Sequence, residues 1–223
     1  MKQSFLTTAS ASVLGLFLSI PVLVTESAQA QETIDLTTWD REGLYQGLSI
    51  DNLLDTDVRG SNGEELGEVE DVLISPDGQV DSIIVEGGGF WDIGDTHFRV
   101  AWDKVDIGSD MEYVTIPMTE ENVEEFSVFA DWDDQETVRR WRATELLNDY
   151  VSLEDVPTYG VINDLIISND GQVQAVIVTP DISYGVTGPY PYPYYGYTPN
   201  AIYELPYARE DIAEWEPFDY DKL

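Results

Sequence analysis

Asp71 and Asp164 stand inside otherwise apolar runs, Val72-Leu73-Ile74 and Leu165-Ile166-Ile167, and are the residues whose setting most invites chemistry. A carboxyl group among aliphatic side chains has two uses. It can hold a proton at unusually high pH and pass it on, or it can accept hydrogen bonds from nearby turn or loop amides and fix the closure of the fold. Both sites share the same surroundings, which favours the structural use. His97, the single histidine, lies near Asp92, Asp95 and Asp103, a set that could ligate a metal through one nitrogen and carboxylates. In a chain with 44 acidic residues such neighbours arise by chance, so a surface histidine is the plainer reading. The run Asp131-Trp132-Asp133-Asp134 lacks the glycine and closing glutamate of an EF-hand loop. The chain has no cysteine, which removes thiol nucleophiles, disulfides, iron–sulfur clusters and thiolate zinc sites. One histidine makes a Ser-His-Asp triad hard to assemble. The expectation is a protein that is not an enzyme, with no catalytic residue, no cofactor and no metal.

The second unusual chemistry is aromatic. Residues 184–197 read Tyr-Gly-Val-Thr-Gly-Pro-Tyr-Pro-Tyr-Pro-Tyr-Tyr-Gly-Tyr, without a charge. Alternating proline and tyrosine favours an extended, polyproline-like course. Tyrosine offers a large apolar face and a polar tip at small entropic cost, so Tyr190, Tyr192, Tyr194, Tyr195 and Tyr197 are candidates for contact with a protein partner or a lipid headgroup. The same residues could instead form a loop folded back on its own domain.

The elements that must position these residues repeat. Shifting the sequence by 93 positions lays Leu53–Val85 on Leu146–Val178 without a gap, and 13 of the 33 positions are identical. The densest stretch sets Ile74-Ser75-Pro76-Asp77-Gly78-Gln79-Val80 against Ile167-Ser168-Asn169-Asp170-Gly171-Gln172-Val173. A second block, Glu121–Phe126 on Glu210–Trp215, matches at an offset of 89. The pattern reads as a tandem duplication of one domain. Each repeat carries short β-branched runs around an Asp-Gly pair, and glycine there supplies the left-handed backbone of a hairpin turn. Asp77, Gly78, Asp170 and Gly171 are therefore structural, and Gly67 and Gly160 fit strand positions that need a bulge or a close backbone approach. Strands apolar on both faces suit small sheets curled around their own cores. Thr119–Phe126 begins with an N-cap residue followed by acids and reads as a short helix ending the repeat. Residues 131–142 read as a helical linker, with Val138 and Trp141 on one side.

Whole-chain composition adds the setting. Of 223 residues, 44 are acidic and 10 basic, a net charge of -34. Such a surface repels phosphate backbones and argues against nucleic-acid binding. The acids are spread over both repeats, as in a surface tuned for solubility in strong salt. Residues 1–30 carry Lys2, an apolar run and the small-x-small ending Ala28-Gln29-Ala30, the pattern of a cleaved signal peptide. The expected product begins at Gln31 and is exported, to the periplasm. The organisation is then a signal peptide at 1–30, an N-terminal extension at 31–48, a first domain at 49–130, a linker at 131–142 and a second domain at 143–223, with the Tyr/Pro-rich loop at 184–199.

Asp57-Val58, Asn62-Gly63-Glu64-Glu65-Leu66-Gly67-Glu68-Val69-Glu70-Asp71-Val72-Leu73-Ile74 and Asp77-Gly78-Gln79-Val80 resemble the opening of a PRC-barrel domain. Gly88-Gly89-Phe90-Trp91-Asp92-Ile93-Gly94-Asp95 and Val100-Ala101-Trp102-Asp103 resemble its glycine-rich loop and the strand after it, with alanine at 101 where the family usually has proline. The second repeat keeps the opening and the tail. The resemblance implies a mainly β chain of two small PRC-type β-barrels in tandem, each ending in a short helix. It is similar to the barrel domain of the photosynthetic reaction-centre H subunit. In that family the domain mainly docks onto another protein. The expected function is an exported, non-catalytic adaptor making protein–protein contacts in the cell envelope. The alternative is an accessory protein at a membrane surface or of the reaction-centre type.

Overall fold

The computed structural model describes residues 33–87, 96–108, 111–119, 122, 140–198, 201–212 and 215–223. The expected signal peptide, the glycine-rich loop at 88–95, the helix expected over 119–126 beyond Thr119 and Asn122, and residues 131–139 of the expected linker lie outside them.

The chain is mainly β, in two curled sheets. In the N-terminal half, β2 (Asp57–Gly60), β3 (Glu65–Ile74), β4 (Val80–Gly87) and β5 (Thr96–Ala101) pair antiparallel in sequence order, while β6 (Asp106–Ile107) and β7 (Tyr113–Ile116) fold back so that β7 lies parallel to β2. The C-terminal half repeats the plan with β9 (Tyr150–Leu153), β10 (Val156–Ile167), β11 (Val173–Pro180), β12 (Tyr190–Pro193) and β13 (Tyr203–Glu204), the last parallel to β9. The register slips at matching places: between Val69 and Asp71 on β3, and between Ile162 and Asp164 on β10. A bulge sets two residues against one on the neighbouring strand and turns the next side chain to the other face. Asp71 and Asp164 are thereby buried among aliphatic residues.

Two short strands and two short helices cross between the halves. Strand β1 (Leu48–Ser49) and helix α1 (Ile50–Leu53) precede the first sheet in sequence, yet β1 pairs with β10 of the second sheet. Strand β8 (Trp141–Arg142) and helix α2 (Ala143–Leu146) precede the second sheet, yet β8 pairs with β3 of the first. Trp141 and Arg142 are therefore strand, not the end of a linker helix. Pairing with Leu73 and Ile74 satisfies their backbone, and Trp141 is buried in the shared core. The two α-helices thus open the halves, and the C-terminal tail carries only a 3-10 turn at Tyr220–Lys222 among the described residues.

The main core runs through both halves without a break, from Val58, Val69 and Ile83 to Ile162, Leu165 and Val178. A smaller core on the outer face of the second sheet gathers Leu44, Ile166, Ala175, Ile177 and Phe218. The segment before β1 and the C-terminal tail cover that face: Tyr45 stacks on Phe218 with centroids 4.9 Å apart, and Trp39 stacks on Trp215 at 6.2 Å. The apolar residues on both faces of β10 and β11 thus have two causes. One face lines the curl of the sheet, and the other is roofed by chain ends.

Candidate functional site

The two buried aspartates face the segments that cross between the halves. Asp164 Oδ2 accepts from the Ser49 hydroxyl at 2.6 Å and the Tyr220 hydroxyl at 3.1 Å, and Oδ1 accepts from the backbone N–H of Asp51 at 2.9 Å and of Leu165 at 2.7 Å. Asp71 Oδ2 accepts from the Thr144 hydroxyl at 2.5 Å, and Oδ1 accepts from the N–H of Val72 at 2.8 Å and of Thr144 at 3.3 Å. Asp51 and Thr144 are themselves 93 positions apart, so each aspartate holds the first turn of the other half's opening helix. Burial pushes both carboxyl groups above the usual carboxylate range, against the pull of these donors. Arg142, whose Nε lies 3.7 Å from Asp71 Oδ2, adds a further downward pull on Asp71. The geometry joins two halves.

The Asp-Gly turns meet between the halves. In each, serine opens the turn: the N–H of Gly78 donates to Ser75 C=O at 2.9 Å and that of Gly171 to Ser168 C=O at 2.8 Å. Only the glycines are left-handed, with φ of 81° and 88°. The Ser75 hydroxyl bonds Asp77, holding that carboxylate below its usual range, and the Ser168 hydroxyl bonds Asp170. The turns then bond each other. Val80 N–H donates to Gly171 C=O at 2.8 Å and Val173 N–H to Gly78 C=O at 2.9 Å. Gln79 Nε2 donates to Asp170 C=O at 2.8 Å and Gln172 Nε2 to Asp77 C=O at 3.2 Å. Each glycine is capped by an aromatic ring of the opposite half. A Cβ on Gly78 would stand 2.8 Å from the Tyr194 ring, and one on Gly171 would stand 2.6 Å from Trp102. Gly67 and Gly160 lie where β3 and β10 press on the next strand: a Cβ would come 1.9 Å from Glu86 C=O and 2.3 Å from Thr179 C=O.

The tyrosines expected to meet a partner are largely interior. Residues 190–193 form β12 on β11, with every residue buried, and Tyr192 has no exposed surface. The Tyr192 and Tyr159 hydroxyls bond at 2.7 Å, and those of Tyr195 and Tyr207 at 2.6 Å. Burial drives the Tyr192, Tyr194, Tyr203 and Tyr207 hydroxyls well above the usual phenol range, so all four stay neutral. Tyr194, Tyr195 and Tyr197 are half-buried against the core, and Tyr197 sits edge-on to Trp141 at 5.6 Å. The expectation of a contact surface is thus corrected for Tyr190 and Tyr192. Among the described residues the strand lies at the edge of its sheet, and its buried rings sit in a stretch that carries no charge.

Opposite charges collect on the outside of the first sheet. Asp81 pairs with Arg99 at 2.6 Å and Arg140 at 2.9 Å, and these partners hold its carboxylate below the usual range in spite of burial. His97 Nε2 lies 3.1 Å from Glu70, which also faces Arg142 at 3.7 Å. His97 therefore sits against Glu70 of β3. No cluster of three metal-ligating side chains occurs among the described residues.

A cleft of about 660 Å³ lies between Tyr45, Leu48, Asn52, Ile107 and Asn169. It continues into a second hollow of about 500 Å³ bounded by Leu48, Trp102, Val105, Ile107 and Asp170. Sequence reading missed this cleft and the meeting of the turns. The available signal was that identity between the repeats peaks in a turn, a place where loops normally diverge.

Two curled, mainly antiparallel sheets are locked together through turns and buried carboxylates into a pair of small barrel-like halves. Residues 46–122 match the model of the PRC-barrel domain, and this part of the chain is a PRC-barrel domain. The family is a non-enzymatic one whose domains serve protein interaction. A search of curated proteins found no match.

Proposed function

We propose that the chain is an exported adaptor of the cell envelope, built by duplication of a PRC-barrel domain and working through protein–protein contact. The PRC-barrel match at residues 46–122 carries this reading, because the family is an interaction module. The repeated register slips, crossing segments and turn contacts support descent of both halves from one domain. The acidic surface, at a net charge of -34, suits a periplasmic or saline setting and selects against anionic partners. The buried position of Tyr190 and Tyr192 takes away the main motive for a membrane-surface role.

In-cell photo-crosslinking tests the proposal. A benzophenone amino acid placed at Tyr150 or Ile182, which are 62% and 83% exposed, or at Ile107 in the cleft, samples separate faces. The expected result is one discrete envelope protein captured from at least one face, with the isolated chain beginning at Gln31. Lipid adducts alone, or an intact residue 1–30 segment on a cytoplasmic chain, would overturn it.

A further inference from the structure

Equivalent positions on the two sheets differ in character. In the first half Asp57 of β2 pairs with Tyr113 of β7 on one side and with Glu68 of β3 on the other, and Glu68 pairs with Glu86 of β4. Residues paired in register point to the same face of a sheet, so Asp57, Glu68 and Glu86 form one charged row. The second half repeats this row at the 93-residue offset with Tyr150, Val161 and Thr179, where Tyr150 pairs with Val161 and Val161 with Thr179. Ile202, the residue before β13, stands level with Tyr150, because the next pair is Tyr203 with Val151. Arg59 and Glu70, which flank the charged row, become Ser152 and Asn163. The second half thus discards all five charges, in a chain with 44 acidic and 10 basic residues. Apolar surface replaces them: Tyr150 is 62% and Ile202 51% exposed, and Val161 and Thr179 are half-buried. Thr179 follows Ile177 by two residues on β11, so the row extends the face on which Ile166, Ala175 and Ile177 pack under Leu44 and Phe218. That roof stops short of Tyr150 and Ile202.

We propose that this uncharged row is a self-association surface, where the outer face of the second sheet meets the same face of a second copy of the chain about a two-fold axis. Charge selects the occupant. A face made for a basic partner gains from acids, and the first half shows that the fold accepts them at these positions. A face that must meet an equally acidic molecule has to lose them, because like charges set against each other cost affinity. A two-fold contact sets one patch against itself, so a single stretch free of charge serves both copies. Glu154, Asp181 and Glu204 remain exposed at its margin and repel their counterparts. Salt screens that repulsion, so the dimer tightens as salt rises. The row spans four strands at about 4.8 Å each, a small contact by the standards of protein pairs, and the association is weak and reversible. The inference goes beyond the adaptor reading, since it pairs the chain with itself and leaves the envelope partner unnamed.

Sedimentation velocity of the full chain, from micromolar to millimolar concentration and at 0.1 and 1 M sodium chloride, tests the contact. The expected result is a monomer–dimer equilibrium at least tenfold tighter at the higher salt. Tyr150→Asp and Val161→Glu install the residue types that Asp57 and Glu68 supply in the first half, so the fold has a precedent for both. Each should weaken the dimer at least tenfold, with circular dichroism checking that the fold persists. Asn62→Asp adds the same charge at an exposed turn of the first half and should leave the dimer unchanged. A chain that stays monomeric at millimolar concentration and 1 M salt would overturn the proposal. So would a dimer indifferent to Tyr150→Asp and Val161→Glu, or one that loosens as salt rises, the behaviour of a contact between opposite charges. Monomers that bind phosphatidylcholine vesicles through Tyr150, with no dimer formed, would assign the row to a lipid surface and equally overturn it. An envelope protein crosslinked in cells from Tyr150, with no second copy of this chain, would remove the self-contact and leave the adaptor reading standing.

Discussion

At the scale of single residues, the buried aspartates set how stability responds to pH. Asp71 and Asp164 have carboxyl groups raised by burial above their unfolded range, so the folded chain binds protons that the unfolded chain releases. Their contribution is greatest below the ordinary carboxylate pKa and is lost as pH rises through the raised values. Asp35, Asp77, Asp81 and Asp181 are lowered, and their contribution is present above the ordinary value and lost only in stronger acid. Stability should therefore fall as pH rises from the ordinary carboxylate value through the raised values of these two groups, and fall again in strong acid where the lowered carboxylates protonate. The pair Asp71→Asn and Asp164→Asn should flatten the loss of melting temperature on the alkaline side of the ordinary carboxylate value. An unchanged pH profile in that variant would show that these groups do not contribute to it. Both aspartates stood out in the sequence because carboxylates are rare in aliphatic runs. What they hold did not, since their donors Ser49, Asp51, Thr144 and Tyr220 lie 56 to 115 positions away.

At the scale of elements, the crossing segments bind the halves together. Trp141 seats β8 in the shared core, touches Tyr197 and is 2% exposed. Trp141→Ala should cost about 3–5 kcal/mol, the range for deleting a large buried ring, as read from urea unfolding. A loss under about 1 kcal/mol would mean that β8 is a loose linker after all. The hairpins around Gly78 and Gly171 were legible because a left-handed turn between β-branched runs has a strong local signature. The exchange of β1 and β8 was not. Two-residue strands carry no periodicity, and Val138 and Trp141 three apart imitate a helix face. The Tyr/Pro segment misled for a related reason. Proline removes backbone donors, which suits an edge strand as well as a free extended loop, and only burial separates the two.

At the scale of the whole molecule, charge and connectivity make separate demands. With 44 acidic and 10 basic residues the folded chain repels itself, and salt shortens the reach of that repulsion from about 10 Å at 0.1 M to about 3 Å at 1 M. The melting temperature should climb between 0.05 and 2 M sodium chloride, and a flat or falling curve would remove the salt-adapted reading of the surface. The mainly β character was legible in composition and spacing. That the two sheets act as one body was not, because it depends on turn-to-turn hydrogen bonds between Gly78, Gln79, Gly171 and Gln172 and on a core shared across both halves. Calorimetric unfolding of the full chain tests that unity most directly. A single transition is expected, with calorimetric and van't Hoff enthalpies equal, and with Asp71→Asn and Asp164→Asn each moving that same transition. Two resolved transitions, each displaced by only one of the substitutions, would contradict it.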